Sequence, residues 1–243
     1  MKQIHKNYSV EDFQVWKALF NRQKGNLKGK ACADYLFHLD EMAPVLNENK
    51  VPDFRELNEM LLDKTGWSIE VVPGLIPVDD FFELLAKRKF CSSTWLRKMH
   101  QLDYLEEPDM FHDIFGHIPL LMNPEYAQFI EDIGQLGLRH KNDRSILDRL
   151  EKLYWFTIEF GLMQAQDGLQ IYGAGIISSY GETNHIYTEG VKISGFDLEH
   201  ILNAHFTTSE VQNQYCSIDS FAQLYSSIKS LESRWAPAAR KRA

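Results

Sequence analysis

The chain has 243 residues, 34 acidic against 26 basic side chains for a formal charge of −8, and 44% hydrophobic and 12% aromatic residues. Such a length can bury one sizeable core, the composition excludes extensive disorder, and the acidic balance argues against nucleic acid or an anionic membrane as partner. No apolar run approaches the roughly 18 residues that span a bilayer and residues 1–8 lack a signal-peptide core, so a cytoplasmic protein acting on a small molecule is expected.

Helical signals dominate. Ser9 can cap a helix reaching about residue 21, with Phe13, Trp16, Leu19 and Phe20 inward, and Pro52-Asp53 opens another carrying Phe54, Leu57, Met60 and Leu61. Residues 68–72 alternate like a short strand, Pro73-Gly74-Leu75-Ile76-Pro77 breaks the pattern, and a helix is expected from 78 to about 90. The loop between those prolines suits a site wall. Asn123-Pro124-Glu125 supplies a cap and a proline at the first helical position for a helix to about 138. A further helix is expected from about 145 to 166, then a short strand at 169–172 leading into Gly173-Ala174-Gly175, where small residues allow close backbone approach. Helices over about 197–206 and 220–235 close the chain. The expected fold is mostly α with a few short strands, one domain over 1–243, and a basic tail at 236–243 that frays. Cys32, Cys91 and Cys216 are an odd count at wide spacing without a Cys-x-x-Cys pair, so reduced thiols are expected.

Two segments carry polar groups where burial penalises them. Residues 107–121 set His112 and His117 in an apolar run bounded by prolines, and Glu159 stands in the still more apolar stretch 154–162. Together they suggest a shared metal. On an α-helix residues five apart diverge by about 140°, so the backbone must depart from α between the two histidines. Gly116 and Pro119, which cannot donate to Phe115, give it reason to. A zinc protease would place Glu between its histidines in His-Glu-x-x-His, and a closed structural zinc site would want a fourth ligand. Two His and one carboxylate with open positions is the facial arrangement of non-haem Fe(II) oxygenases, and a zinc hydrolase on the same trio is the more distant alternative. A core histidine bonded to a carbonyl is the ordinary fate of any one of these imidazoles, and a helical binding module without metal would follow from it. The other histidines lack comparable context.

The motifs Pro108-Asp109, His112-Asp113-x-x-Gly116-His117-x-Pro119, Tyr154-Trp155-Phe156-Thr157-x-Glu159-Phe160-Gly161-Leu162 and Tyr172-Gly173-Ala174-Gly175-x-x-Ser178-Ser179 stand in order at compatible spacing. The chain thereby resembles the catalytic domain of the pterin-dependent aromatic amino acid hydroxylases, most closely the short bacterial phenylalanine 4-monooxygenases, from about residue 51 to 182 and more weakly beyond. The resemblance implies a helical basket around an iron pocket, with Fe(II) on His112, His117 and Glu159. It places a tetrahydropterin against Phe81, the Gly74-Leu75 backbone and Asp113, and the amino acid substrate against Arg97, Pro108, Trp155, Gly175 and Ser178, with Arg97 meeting its carboxylate. Leu105 stands where animal members carry a threonine. Trp155 disfavours an indole substrate on volume grounds, and Thr208 pairs with an aspartate of tyrosine hydroxylases, which tilts the choice to phenylalanine over tyrosine or tryptophan. The implied reaction is hydroxylation of L-phenylalanine to L-tyrosine by O₂ with a tetrahydropterin as electron donor. A monomer without regulatory or tetramerising parts is expected, with a pterin-recycling enzyme as a conceivable partner.

Overall fold

The computed structural model describes residues 1–103, 105, 107–208 and 210–236; most of the tail expected to fray, 237–243, lies outside them. Helix α1 (Val10–Asn26) starts at Ser9, whose hydroxyl accepts from the Asp12 N–H while the Asp12 carboxylate accepts from the Ser9 N–H. This reciprocal cap satisfies two otherwise orphaned donors. Its buried face is Val15, Trp16, Leu19, Phe20 and Gln23, whereas Phe13, expected inward, is 41% exposed. The cause is geometric: at about 100° per residue the buried face centres near Trp16, Leu19 and Gln23, and Phe13 stands roughly 90° round the helix from that centre, at the edge of the packed face.

Helices α2 (Ala33–Glu41) and α3 (Phe54–Lys64) complete the first half, α3 being capped by the Asp53 side chain. The α2 helix had no clear signal in the sequence. Strand β1 (Ser68–Val71) pairs in parallel with β2 (Lys89–Ser92), and α4 (Val78–Ala86) crosses between them. The helix expected to reach residue 90 therefore stops at Ala86: Lys87 and Arg88 turn the chain, Arg88 at φ 55°, and the following residues leave for the sheet.

Between residues 112 and 159 the chain supplies the floor of the molecule. A π-helical segment, His112–His117, runs into the short α5 (Ile118–Leu121). Helix α6 (Pro124–Arg139) opens on Asn123, whose side chain accepts from the N–H groups of Glu125 and Tyr126. Helix α7 (Arg144–Tyr154) passes directly into a second π-helical segment, Trp155–Glu159. The single helix expected over 145–166 thus ends early, and Leu162–Ala165 forms β3, in antiparallel register with β4 (Gly168–Ile171).

The remaining elements are α8 (Ala174–Ile177), α9 (Tyr180–His185), β5 (Lys192–Gly195), α10 (Leu198–Asn203), β6 (Gln214–Ile218) and α11 (Phe221–Arg234). The helix expected over 197–206 is confined to α10, which ends at Asn203. Strands β5, β6 and β3 are mutually parallel and β4 closes the order β4-β3-β6-β5. The fold is mostly helical with these few short strands. No helix of the described residues is long and apolar enough to cross a membrane, and the three cysteines are free thiols.

Helices α4 and α6 pack so closely that side chains are excluded at their crossing. A Cβ added at Gly134 would lie 2.3 Å from the Ala86 nitrogen and 2.6 Å from the Leu85 carbonyl carbon. Backbone cannot yield as a side-chain tip can. Gly134→Ala is therefore expected to cost at least about 1–3 kcal/mol through overpacking, lowering Tm by roughly 5 °C or more for a chain of this size. A thermal melt superimposable on the parent would refute it.

Candidate active site

The two π-helical segments face each other, and each delivers metal-type ligands. A π turn bonds residue i to i+5, which brings side chains five apart onto one side where an α-helix would separate them. The required departure from α geometry between His112 and His117 takes this form. Pro119 has no N–H to give the Phe115 carbonyl, and the buried Tyr35 hydroxyl donates to that oxygen instead, at 2.8 Å. In the second segment the Phe160 N–H donates to the Trp155 carbonyl at 2.9 Å, an i to i+5 bond that turns Glu159 inward.

Small residues let both segments pack against residues 173–175. A Cβ at Gly116 would sit 3.0 Å from the Ala174 oxygen, and one at Gly173 would sit 2.5 Å from the Glu159 oxygen. The close approach expected at residues 173–175 is thus made against the backbone of Glu159 itself; a Cβ at Gly175 would also fall 3.0 Å from that oxygen.

The three side chains converge. His112 Nε2 lies 3.2 Å from His117 Nε2 and 3.6 Å from Glu159 Oε2, and His117 Nε2 lies 3.2 Å from Glu159 Oε1. They are the one group of His, Cys, Asp and Glu among the described residues with metal-holding geometry. An ion bonded at about 2.1 Å to mutually perpendicular ligands needs donor atoms about 3.0 Å apart, close to the spacing found. The donor set also asks for a cation. The Ser178 hydroxyl donates to the Ala174 carbonyl at 2.8 Å, so at 2.9 Å from His112 it accepts from Nδ1–H. That tautomer leaves the His112 Nε2 lone pair aimed at the centre.

Electrostatics agree with a neutral, ligating imidazole. Burial drives the His112 pKa down to about 4, against the opposing pull of Glu159. For Glu159 burial alone would raise the carboxyl, but the charge and hydrogen bond of His117, then His112 and the Tyr154 hydroxyl, hold it below the usual range. Next to His112, burial pushes the Asp113 carboxyl well up, although it accepts the Ser93 N–H at 3.0 Å.

Above the trio opens a cleft of ≈ 670 Å³, and every residue that the sequence singled out lines it. Gly74, Leu75, Phe81 and Asp113 line it, with Leu75 71% exposed and Phe81 edge-on to Tyr154 at 5.1 Å between centroids. Arg97, Pro108, Trp155, Gly175 and Ser178 also line it, as do Leu105 and Thr208. A Cβ at Gly74 would meet nothing, so packing within the chain does not require glycine there.

Three participants were not foreseen. Arg97 is buried, and its Nε and Nη2 each donate at 2.9 Å to the two oxygens of Asp109, which is fully buried and also accepts the Arg97 N–H. The Pro108-Asp109 pair in the motif was the available signal for this. Tyr154, which hydrogen-bonds Glu159, stood at the head of its motif without a role assigned to it. Gln212 reaches the cleft from a segment with no motif at all.

Comparison with known proteins bears on the same arrangement. Residues 2–237 match the model of a family described as biopterin-dependent aromatic amino acid hydroxylase. The phenylalanine-4-hydroxylase of Chromobacterium violaceum is 46% identical over 219 residues, covering 90% of this chain and 73% of that protein. A crystal structure of that bacterium's phenylalanine hydroxylase with bound oxidised Fe(III) superimposes with a TM-score of 0.92 at 44% identity, over 96% of this chain and 84% of the other. A second, with iron(III) and the oxidised cofactor 7,8-dihydrobiopterin, gives 0.89 at 43% identity, over 98% and 87%. The chain belongs to the biopterin-dependent aromatic amino acid hydroxylase family.

Proposed function

We propose that this protein is an Fe(II)- and tetrahydropterin-dependent monooxygenase that converts L-phenylalanine to L-tyrosine with O₂. The observation that carries the proposal is the meeting of His112, His117 and Glu159 at the floor of one cleft, at donor spacings that suit a single ion. Bound there, iron and the reduced pterin would together supply O₂ activation and two electrons. Membership of a pterin-dependent family leaves the zinc hydrolase alternative without support.

The chain's own residues do the rest. Arg97, held by Asp109, meets the amino acid carboxylate with the N–H groups that Asp109 leaves over. Trp155, Pro108 and Gly175 form apolar walls for the benzyl group, and Phe81 with the Gly74-Leu75 backbone receives a flat heterocycle on the other side. The Ser178 hydroxyl fixes the His112 ring. The apolar lining excludes water from the reacting oxygen. Asp113 faces the pterin edge, directly or through a water. The proposal also takes residues 1–243 as one catalytic domain working in the cytoplasm as a monomer, with a separate enzyme recycling the pterin.

Anaerobic loading with Fe(II), followed by phenylalanine, tetrahydropterin and air, is expected to yield tyrosine, and leaving out any one component is expected to stop it. Tyrosine formed without pterin, or iron-loaded protein that forms none, would overturn the assignment.

A further inference from the structure

One wall of the cleft is held by polar residues to which the proposed reaction gives no part. Trp155 stacks on Phe206 with centroids 4.6 Å apart at 21° and packs against Phe160. Phe206 follows α10 in the chain, Gln212 precedes β6, and both line the cleft. Gln212 is 7% exposed and every polar atom it has is engaged. Its Nε2 donates to the carbonyls of Thr207 at 2.8 Å and Glu210 at 2.9 Å, and its Oε1 accepts the Trp155 indole N–H at 3.4 Å. Its backbone N–H donates to Glu182 Oε1 at 3.2 Å.

The brace behind Gln212 is closed as well. The Tyr215 hydroxyl lies 2.8 Å from the Gln212 carbonyl and 2.7 Å from Glu182 Oε2. One phenolic proton cannot serve both oxygens. If Glu182 is protonated and donates to Tyr215, which donates on to Gln212, every atom is paired. Burial pushes the Glu182 carboxyl up, in the direction that this arrangement needs.

We propose that Gln212, braced by Glu182 and Tyr215, is a positioning residue for substrate selection: it fixes the Trp155 indole and the Phe206 ring stacked on it, and so sets the width of the slot that accepts a benzyl group and turns away an indole. The inference rests on the hydroxylase assignment. An indole held at its N–H and packed against two rings resists swinging aside for a larger guest, whereas an untethered one yields. A residue that merely held the fold would weaken both guests alike.

The test is the ratio of dissociation constants for L-tryptophan and L-phenylalanine, measured by calorimetry on the iron-loaded protein with turnover followed in parallel. Gln212→Met, of similar length but without hydrogen bonds, is expected to lower that ratio about tenfold, within the range one pocket contact can discriminate. Tyr215→Phe, which removes one oxygen and leaves the ring, is expected to lower it about threefold, and it decides the matter if Gln212→Met fails to fold. An unchanged ratio, or equal weakening of both amino acids, overturns the inference. A parent that binds phenylalanine but forms no tyrosine overturns the proposed reaction alone; a parent that binds neither overturns both.

Discussion

Glu159→Ala is expected to abolish tyrosine formation and retained iron together, while the protein still unfolds cooperatively. The carboxylate is one of three donors, and its oxygens stand 3.2 and 3.6 Å from the two Nε2 atoms. Without it the site keeps two imidazoles and no anion to offset a divalent charge. Metal-assisted chemistry contributes several kcal/mol to a barrier, and about 4 kcal/mol corresponds to roughly a thousandfold in rate. Turnover in Glu159→Ala should therefore fall at least that far. His117→Ala should behave alike, since it removes an imidazole donor that stands 3.2 Å from Glu159 Oε1. Zinc gives a sharper control. It accepts the same ligands but has no redox chemistry, so zinc-loaded parent protein should be inactive and regain activity on exchange for Fe(II). Metal content and tyrosine yield are the two measurements; Glu159→Ala with a full complement of iron and a tenth of parental turnover would remove the carboxylate from the centre.

That centre was legible in the sequence because burial makes polar residues conspicuous. Two histidines and a glutamate in runs such as Phe111–Leu121 and Tyr154–Leu162 need compensation, and each run holds few other polar groups. The i, i+5 spacing even excluded an ordinary helix between the ligands, although not which irregular form replaced it. Other features left weaker traces. Strands β2 and β3 are four residues each, and their parallel partners, β1 and β6, lie far from them in the chain, so the helical periodicity before them ran on past Ala86 and Tyr154 in a local reading. Phe13 faces outward because the neighbours that bury α1 lie in other elements. Gln212 carries no local mark and Asp109 only its place in the Pro108-Asp109 motif: a glutamine in a polar loop and an aspartate after a proline become structural hubs through Trp155 and Arg97, which the fold brings to them.

The Arg97–Asp109 pair sets the second large effect. Two parallel N–H···O bonds fix the guanidinium plane, and Asp109 also accepts the backbone N–H groups of Arg97 and His112, tying the arginine proposed to meet the substrate carboxylate to the first histidine of the centre. Asp109→Ala would bury an unpaired guanidinium, a loss of about 3–5 kcal/mol, and is expected to fail to accumulate as folded protein. Arg97→Lys is the informative variant. It keeps a positive charge against Asp109 but loses the planar fork, and hydrogen bonds to charged groups contribute about 1.5–3 kcal/mol each. KM for phenylalanine should then rise roughly 10- to 100-fold with kcat much less affected, the pattern of a lost contact that is equally strong before and during reaction. Phenethylamine, which has no carboxylate to lose, supplies the decisive comparison: the variant's preference for phenylalanine over this amine should shrink by the same factor. If the preference survived intact, Arg97 would serve the buried ion pair alone, and the substrate carboxylate would have to be met elsewhere in the cleft.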